Sequence, residues 1–191
     1  MGSYYYLVAQ LPAISYAAAP PISSVEFKEL AGDLLTSPDA ALLSACTLDP
    51  EPLISEAASR TSSFLIEQWR IWEGALRLNL AKLRSQKLKW DSLIEAPNDP
   101  MDAIAVARAA MALESPLEAE LFLDRSRWEA IEAFSGFDYF GRDTVYAYLL
   151  KLYLLERKAL FRVEEGFAEY KAIYASVMEA APTSIESGDP K

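Results

Sequence analysis

The sequence contains no histidine among its 191 residues. Histidine is the commonest general base near neutral pH and a frequent zinc ligand. Its absence therefore excludes Ser-His triads, Cys-His dyads and most zinc sites. A carboxylate-bridged di-iron bundle in its usual form needs Glu-x-x-His motifs and is excluded as well. No metal ion or other cofactor is expected.

Cysteine and glycine are also scarce, with one and seven residues. The single thiol, Cys46, has no intramolecular disulfide partner, and its small and apolar neighbours indicate a buried, unreactive side chain in a reducing compartment. The glycines of FSGFDYFGRD have the wrong spacing for a phosphate-binding loop. Neighbouring acids such as Glu164 and Glu165 point apart on a helix, so catalysis by paired carboxylates is not expected. The chain is predicted not to be an enzyme.

Long hydrophobic runs and an excess of positive charge are absent as well. The most apolar segment, VYAYLLKLYLLERKALF, is interrupted by charged residues at 151 and 156–158, which argues against a membrane span. The N-terminal segment lacks the basic residues of a signal peptide, and Pro12 ends its apolar run early, so the expected location is the cytoplasm. A net charge of −10 repels phosphates, so nucleic acid is not an expected partner.

Hydrophobic residues make up 52% of the chain, and their spacing predicts a mostly α protein: a helical bundle with two long amphipathic helices and several short ones. The first long helix is predicted from Thr61 to Trp90. The second is predicted from Arg142 to about Ala180, with a slight bend or close contact near Gly166. Residues 1–180 are expected to form one helical domain, followed by a flexible tail at 181–191.

Shorter elements are predicted before and between the long helices. Residues 4–11 are rich in tyrosine and are predicted to be extended. Short helices are expected within 23–56 and 100–134, and Ser23 and Glu26 have capping-box spacing at the first of them. Further helix starts are marked by four pairs in which a capping side chain precedes a proline. These pairs are Ser37-Pro38, Asp49-Pro50, Asp99-Pro100 and Ser115-Pro116.

A cationic run stands out in the first long helix, because no acid occurs between Glu73 and Asp91. It comprises Arg77, Lys82, Arg84, Lys87 and Lys89. One interpretation is a solvated helix face, since cations favour the last turns of a helix, but this explains Arg77 poorly. The other is a partner-binding surface, for which Arg77, Lys82, Arg84 and Lys87 are the candidates.

An aromatic cluster precedes the second long helix in AFSGFDYFGRD, at 133–143. It comprises Phe134, Phe137, Tyr139 and Phe140. If exposed, these rings would form a binding surface, since aromatic side chains give a large contact area at low entropic cost. A buried corner at the end of the bundle is the favoured expectation. Tyr139 and Phe140 are kept as candidate partner contacts.

Five segments together carry a likeness to a known family. They are YYYLVAQLP at 4–12, PPIS at 20–23, WRIWEGALRLNLAKLR at 69–84, SPLEAELFLDRSRWEAIE at 115–132 and FGRDTVYAYLLKLYLLERKALF at 140–161. On these segments the chain resembles a bacterial family of functionally uncharacterised small proteins encoded with V-type (A/V-type) ATPase subunits. The family offers no catalytic residues to carry over.

The resemblance implies a non-catalytic component or accessory of an ATPase that translocates protons or sodium ions. The helical make-up of this chain is similar to that of the central-stalk socket, the ATPase component that seats the rotor shaft on the proteolipid ring. That socket is longer and has three related lobes, so a reduced central-stalk equivalent or another accessory is implied. The implied partners are the rotor shaft and the proteolipid ring, and the implied location is peripheral on the inner membrane face. The implied contacts are Arg77, Lys82 and Arg84.

A different class of function also fits the aromatic content. The chain could be a helical small-molecule-binding or regulatory protein, with a pocket between its two long helices. This hypothesis predicts a deep apolar cavity near Trp69, Trp72 and Tyr148.

Overall fold

The computed structural model describes residues 4–50, 63–90, 94–161 and 163–180. Within these ranges the chain forms eight α-helices and no strand, so the predicted mostly α fold is confirmed. The helices are α1 (Tyr5–Gln10), α2 (Ser24–Gly32), α3 (Ser37–Ala45), α4 (Phe64–Lys87), α5 (Met101–Ala112), α6 (Pro116–Ser135), α7 (Arg142–Ala159) and α8 (Val163–Ala180).

The chain divides into two compact units, residues 1–158 and 159–191. The first unit holds α1 to α6 and all of α7 except its last residue, and the second holds α8. The predicted tail at 181–191 lies outside the described residues. The prediction of a single domain over 1–180 stays a prediction.

The core of the first unit is built around α4, which packs against α5 and α6. Trp69 and Trp72 of α4 are buried and stack with ring centroids 6.0 Å apart. Both indole N–H groups are satisfied: Trp69 donates to the Thr47 carbonyl and Trp72 to a carboxylate oxygen of Asp102, each at 2.9 Å. Burying these rings without such partners would cost free energy, so the hydrogen bonds fix how α4 sits in the core.

The extended conformation predicted for residues 4–11 is wrong, because Tyr5–Gln10 is helical. Tyr4 anchors this short helix from its N-terminal side. Its backbone N–H donates to the Phe140 carbonyl at 2.7 Å, and its buried hydroxyl donates to Asp39. Leu7, one turn further, is also buried. The tertiary contacts therefore override the β propensity of the tyrosines.

The predicted second long helix is also wrong as a single element, because it is divided into α7 and α8. Apolar residues recur every three or four positions on both sides of 160–162, so the periodicity does not mark the break. The two helices nevertheless differ in burial. Leu149, Leu152 and Leu155 of α7 are buried, whereas Tyr170 and Val177 of α8 are exposed.

The observed N-caps agree with some of the predicted helix starts and differ from others by one residue. The capping box is confirmed: the Ser23 hydroxyl accepts from the Glu26 N–H at 3.1 Å, and the Glu26 carboxylate accepts from the Ser23 N–H at 2.9 Å. Ser115 caps α6 as predicted. The N-cap of α3 is Thr36 rather than Ser37, and that of α5 is Pro100 rather than Asp99. The helix predicted after Asp49-Pro50 lies outside the described residues.

A glycine at the end of α6 supplies a stability prediction. Gly136 adopts φ 69° and ψ −157°, a backbone region that is essentially restricted to glycine. Gly136→Ala is expected to lower the free energy of unfolding by about 1–3 kcal/mol. The control is Gly74→Ala inside α4, where an added Cβ meets no atom within 4 Å. That change should raise the free energy by about 0.5–1 kcal/mol. Urea denaturation measures both, and changes of the same sign would contradict the assignment.

Candidate partner-binding surfaces

The cationic run of α4 is divided between two sides of the helix. Arg77 and Arg84 lie seven residues apart, on the side that faces carboxylates of this chain. Arg77 donates to Glu73 at 2.7 Å and to the Leu48 carbonyl at 2.6 Å, and it also pairs with Asp49. Arg84 lies 3.8 Å from a carboxylate oxygen of Glu120. These intramolecular pairs argue against the Arg77 guanidinium as a primary contact for another protein.

Lys82 lies on a different side of α4 from Arg77 and Arg84, and both Lys82 and Lys87 are exposed. Neither lysine forms an ion pair with any residue that the structure describes. The macrodipole accounts for Lys87 in the last turn of the helix, but Lys82 is more than a turn earlier. Lys82 is therefore the predicted contact that is most available to a partner.

Lys82 lines a groove of about 530 Å³ between α4 and α5. We call this the α4–α5 groove and define it by Asn79, Lys82, Gln86, Asn98, Ile104 and Arg108. Ile104 is buried and gives the groove an apolar floor, while Arg108 is exposed and contributes a second cation. Arg108 also lacks an ion-pair partner among the described residues. Sequence analysis missed Arg108, which lies 26 positions beyond Lys82.

The charge of the α4–α5 groove contrasts with the rest of the chain. The sequence has 28 acidic and 18 basic residues, so most of its surface repels anions. Lys82 and Arg108, which have no ion-pair partner in the described part of the chain, lie around an apolar floor and make the groove a local exception to this negative surface. Carboxylates of another protein could pair with these cations, while the amide of Asn98 offers a further hydrogen bond.

The aromatic cluster before α7 is only partly buried. Phe134 and Phe140 are half-buried, and the Phe140 ring packs against Tyr5 with centroids 4.2 Å apart. By contrast, 92% of Phe137 and 68% of Tyr139 are exposed. The expected buried corner is therefore wrong for these two rings. Of the two predicted contacts, Tyr139 is open to a partner, whereas Phe140 is tied to the N-terminal segment.

A buried ion cluster joins α4 to α6, and sequence analysis missed it. Glu73 is fully buried and accepts two hydrogen bonds from Arg127, each 3.0 Å long. Arg127 also donates to Asp124 at 3.0 Å. Burial alone would lower the pKa of Arg127, but Glu73 and Asp124 outweigh it and raise that pKa. The available signal was Glu73 itself, which interrupts the apolar spacing of Trp69 and Leu76 on one face of α4.

Asp124 occupies the inner end of this cluster. Its Oδ1 atom faces both Arg127 and Arg157, the latter at 3.6 Å. Its buried Oδ2 atom has no hydrogen-bond partner among the residues that the structure describes. Burial raises the pKa of Asp124 although both arginines oppose it. The cluster is enclosed in the core, so its contacts connect helices rather than form an open site.

The cavity predicted near Trp69, Trp72 and Tyr148 is not formed by those three rings together. Trp69 and Trp72 stack on each other, and Tyr148 packs against Phe27 with ring centroids 5.1 Å apart. Trp72 lines a recess of about 260 Å³, which it shares with Asp102. The rings therefore serve mainly as core, and the small-molecule hypothesis gains no support from them.

Two further findings apply to the described ranges. No group of three or more acidic or cysteine side chains there could hold a metal ion. None of the helices described there has the length and apolar character needed to cross a bilayer.

The chain matches no protein-family model, no curated protein and no solved structure.

Proposed function

We propose that this chain is a non-catalytic interaction protein that receives an acidic, partly apolar segment of a partner in the α4–α5 groove. The observation that carries the proposal is the pair of exposed cations, Lys82 and Arg108, without carboxylate partners among the described residues. Opposite charges across an interface speed association and select the partner. The apolar floor at Ile104 supplies surface that a partner side chain can bury.

The finer proposal identifies the assembly as a V-type ATPase. Its support is the resemblance carried by the segments at 4–12, 69–84 and 140–161. The chain would then be an accessory or a central-stalk adaptor, and the acidic segment would belong to the rotor shaft or the proteolipid ring. A first unit built on long packed helices suits an adaptor, because such a core resists deformation.

The proposal is tested by tagged purification from solubilised membranes of the organism that encodes the chain, with mass spectrometry of the recovered proteins. The catalytic, shaft and proteolipid-ring components of the ATPase are expected to copurify with the wild-type chain. Lys82→Glu combined with Arg108→Glu should reduce their recovery about tenfold or more. The reason is that like charges facing each other across an interface cost several kcal/mol.

The matched control is Lys28→Glu on α2, an exposed lysine whose ammonium lies over the Tyr153 ring. It lowers the net charge by two, against four in the groove variant, but it lies outside the groove, so recovery should stay close to that of the wild type. Equal losses in both variants would attribute the effect to overall charge and contradict the groove. Recovery of a different set of proteins, lost only in the groove variant, would support the groove and overturn the ATPase assignment.

A further inference from the structure

The helix α8 carries an apolar stripe that is exposed along its length. Its members follow the spacing of one helical face and are each 55–62% exposed. We call them the α8 stripe: Tyr170, Ile173, Tyr174, Val177 and Met178. Two of its rings, Tyr170 and Tyr174, stack on each other with centroids 6.2 Å apart. The stripe therefore presents two aromatic anchors in a fixed arrangement.

The amphipathic character of α8 indicates that it gains stability from a partner surface. α8 spans 18 residues, and most of the stability of helices in proteins comes from packing an amphipathic face rather than from helix propensity. An apolar face with anchors three and four residues apart is the pattern that partner grooves and partner helices recognise. Large exposed apolar patches mark interaction sites on soluble proteins. The α8 stripe has both the spacing of such anchors and the exposed apolar surface.

The charge of α8 indicates which kind of partner fits. Its sequence at 163–180 contains one lysine, at 171, and four glutamates, at 164, 165, 169 and 179. A second copy of the chain would bring acid against acid, in a protein whose net charge is already −10. A partner whose apolar surface is flanked by lysine or arginine would instead be attracted.

We infer that α8 is a docking helix, which lays the α8 stripe against an apolar surface flanked by basic residues on a different protein. This surface is separate from the α4–α5 groove and does not depend on the proposed function. The groove suits an acidic segment and α8 suits a basic one. The chain would thus engage two partners of opposite charge.

The test measures binding of the full chain to two synthetic amphipathic helices by fluorescence anisotropy. Both peptides have leucine at the a and d positions of three heptads; one has lysine at e and g, and the other has glutamate. The lysine peptide should bind about tenfold more tightly or better. Tyr174→Asp should weaken its binding by a similar factor, because it puts a charge into the stripe. The control is Ala172→Asp, which makes the same charge on the opposite face of α8.

The two aspartate variants separate apolar docking from simple attraction between opposite charges. If charge alone holds the lysine peptide, both variants should bind it slightly more tightly, which would overturn the inference. Equal affinity of the wild-type chain for the two peptides would overturn it too, as would no binding of either. Analytical sedimentation tests whether a second copy of the chain binds the stripe instead. If the wild-type chain forms a dimer and Tyr174→Asp dissociates it, the stripe binds a second copy, and the inference of a basic partner is wrong.

Discussion

Replacing Arg127 by leucine should lower the free energy of unfolding by about 3–5 kcal/mol. The guanidinium is 5% exposed and satisfies two acids at once, with both Glu73 oxygens and one Asp124 oxygen within 3.0 Å. Leucine would leave Glu73 with Arg77 and Asp124 with Arg157, both partly exposed arginines, and removing one partner from a buried ion pair costs far more than losing a surface ion pair. Urea denaturation followed by circular dichroism gives the free energy.

Arg125→Leu is the matched control for that experiment. Arg125 is two residues away on α6 and pairs with Glu129 at 3.2 Å, but both side chains are more than 60% exposed. Its removal should change the free energy by less than about 1 kcal/mol. If Arg127→Leu does not fold, Arg127→Lys keeps the charge without the paired hydrogen bonds and should fold with intermediate stability. Similar small effects for Arg127→Leu and Arg125→Leu would contradict the role given to the cluster.

The parts of the fold that depend on local chemistry could be predicted from the sequence. The capping box of Ser23 and Glu26 is a local hydrogen-bond pattern, and the structure forms it. The first long helix is predicted over Thr61–Trp90 and observed over Phe64–Lys87, because its apolar face repeats along the whole element. Such features need only the spacing of a few residues along one element.

Other features depend on contacts between distant residues, which spacing does not reveal. The helix at Tyr5–Gln10 is anchored through Tyr4 to Asp39 and Phe140, which lie 35 and 136 positions away. The α4–α5 groove likewise needs Arg108 beside a lysine from another helix. The break between α7 and α8 is hidden by apolar spacing that runs through it.

At the candidate site, the cationic run of α4 could be predicted only in part from the sequence. It correctly marks Lys82 and Arg84 as charged positions on one helix, but it treats the run as a single surface. The 3.6-residue period places Arg77 and Arg84 together and puts Lys82 elsewhere. Only the position of α6 explains why Arg84 meets Glu120. Of the four cations predicted to contact a partner, the proposed site therefore keeps Lys82, and it adds Arg108 from α5.

The single cysteine lies in a setting that suppresses its chemistry. Cys46 follows α3, is 6% exposed, and its thiol donates to the Leu42 carbonyl at 3.5 Å. Burial, reinforced by the charge of Asp143, raises the pKa of this thiol to about 12. Because the folded chain holds the proton more tightly than the unfolded chain does, this group stabilises the fold least at high pH. Stability should fall as the pH rises from about 8.5 toward 12.

The thiolate is the reactive form of cysteine, so near neutral pH the folded chain should react with a thiol reagent about a thousandfold more slowly than the unfolded chain. The measurement compares the rate of disulfide exchange with an aromatic disulfide reagent in native buffer and in denaturing urea. Because Cys46 is the only thiol, the signal has one source. Asp143→Asn is a useful companion: removing its charge should raise the native rate modestly, since burial remains the larger cause of the shift. A native rate close to that of the unfolded chain would contradict the burial of Cys46, and with it the packing of α3 against the core.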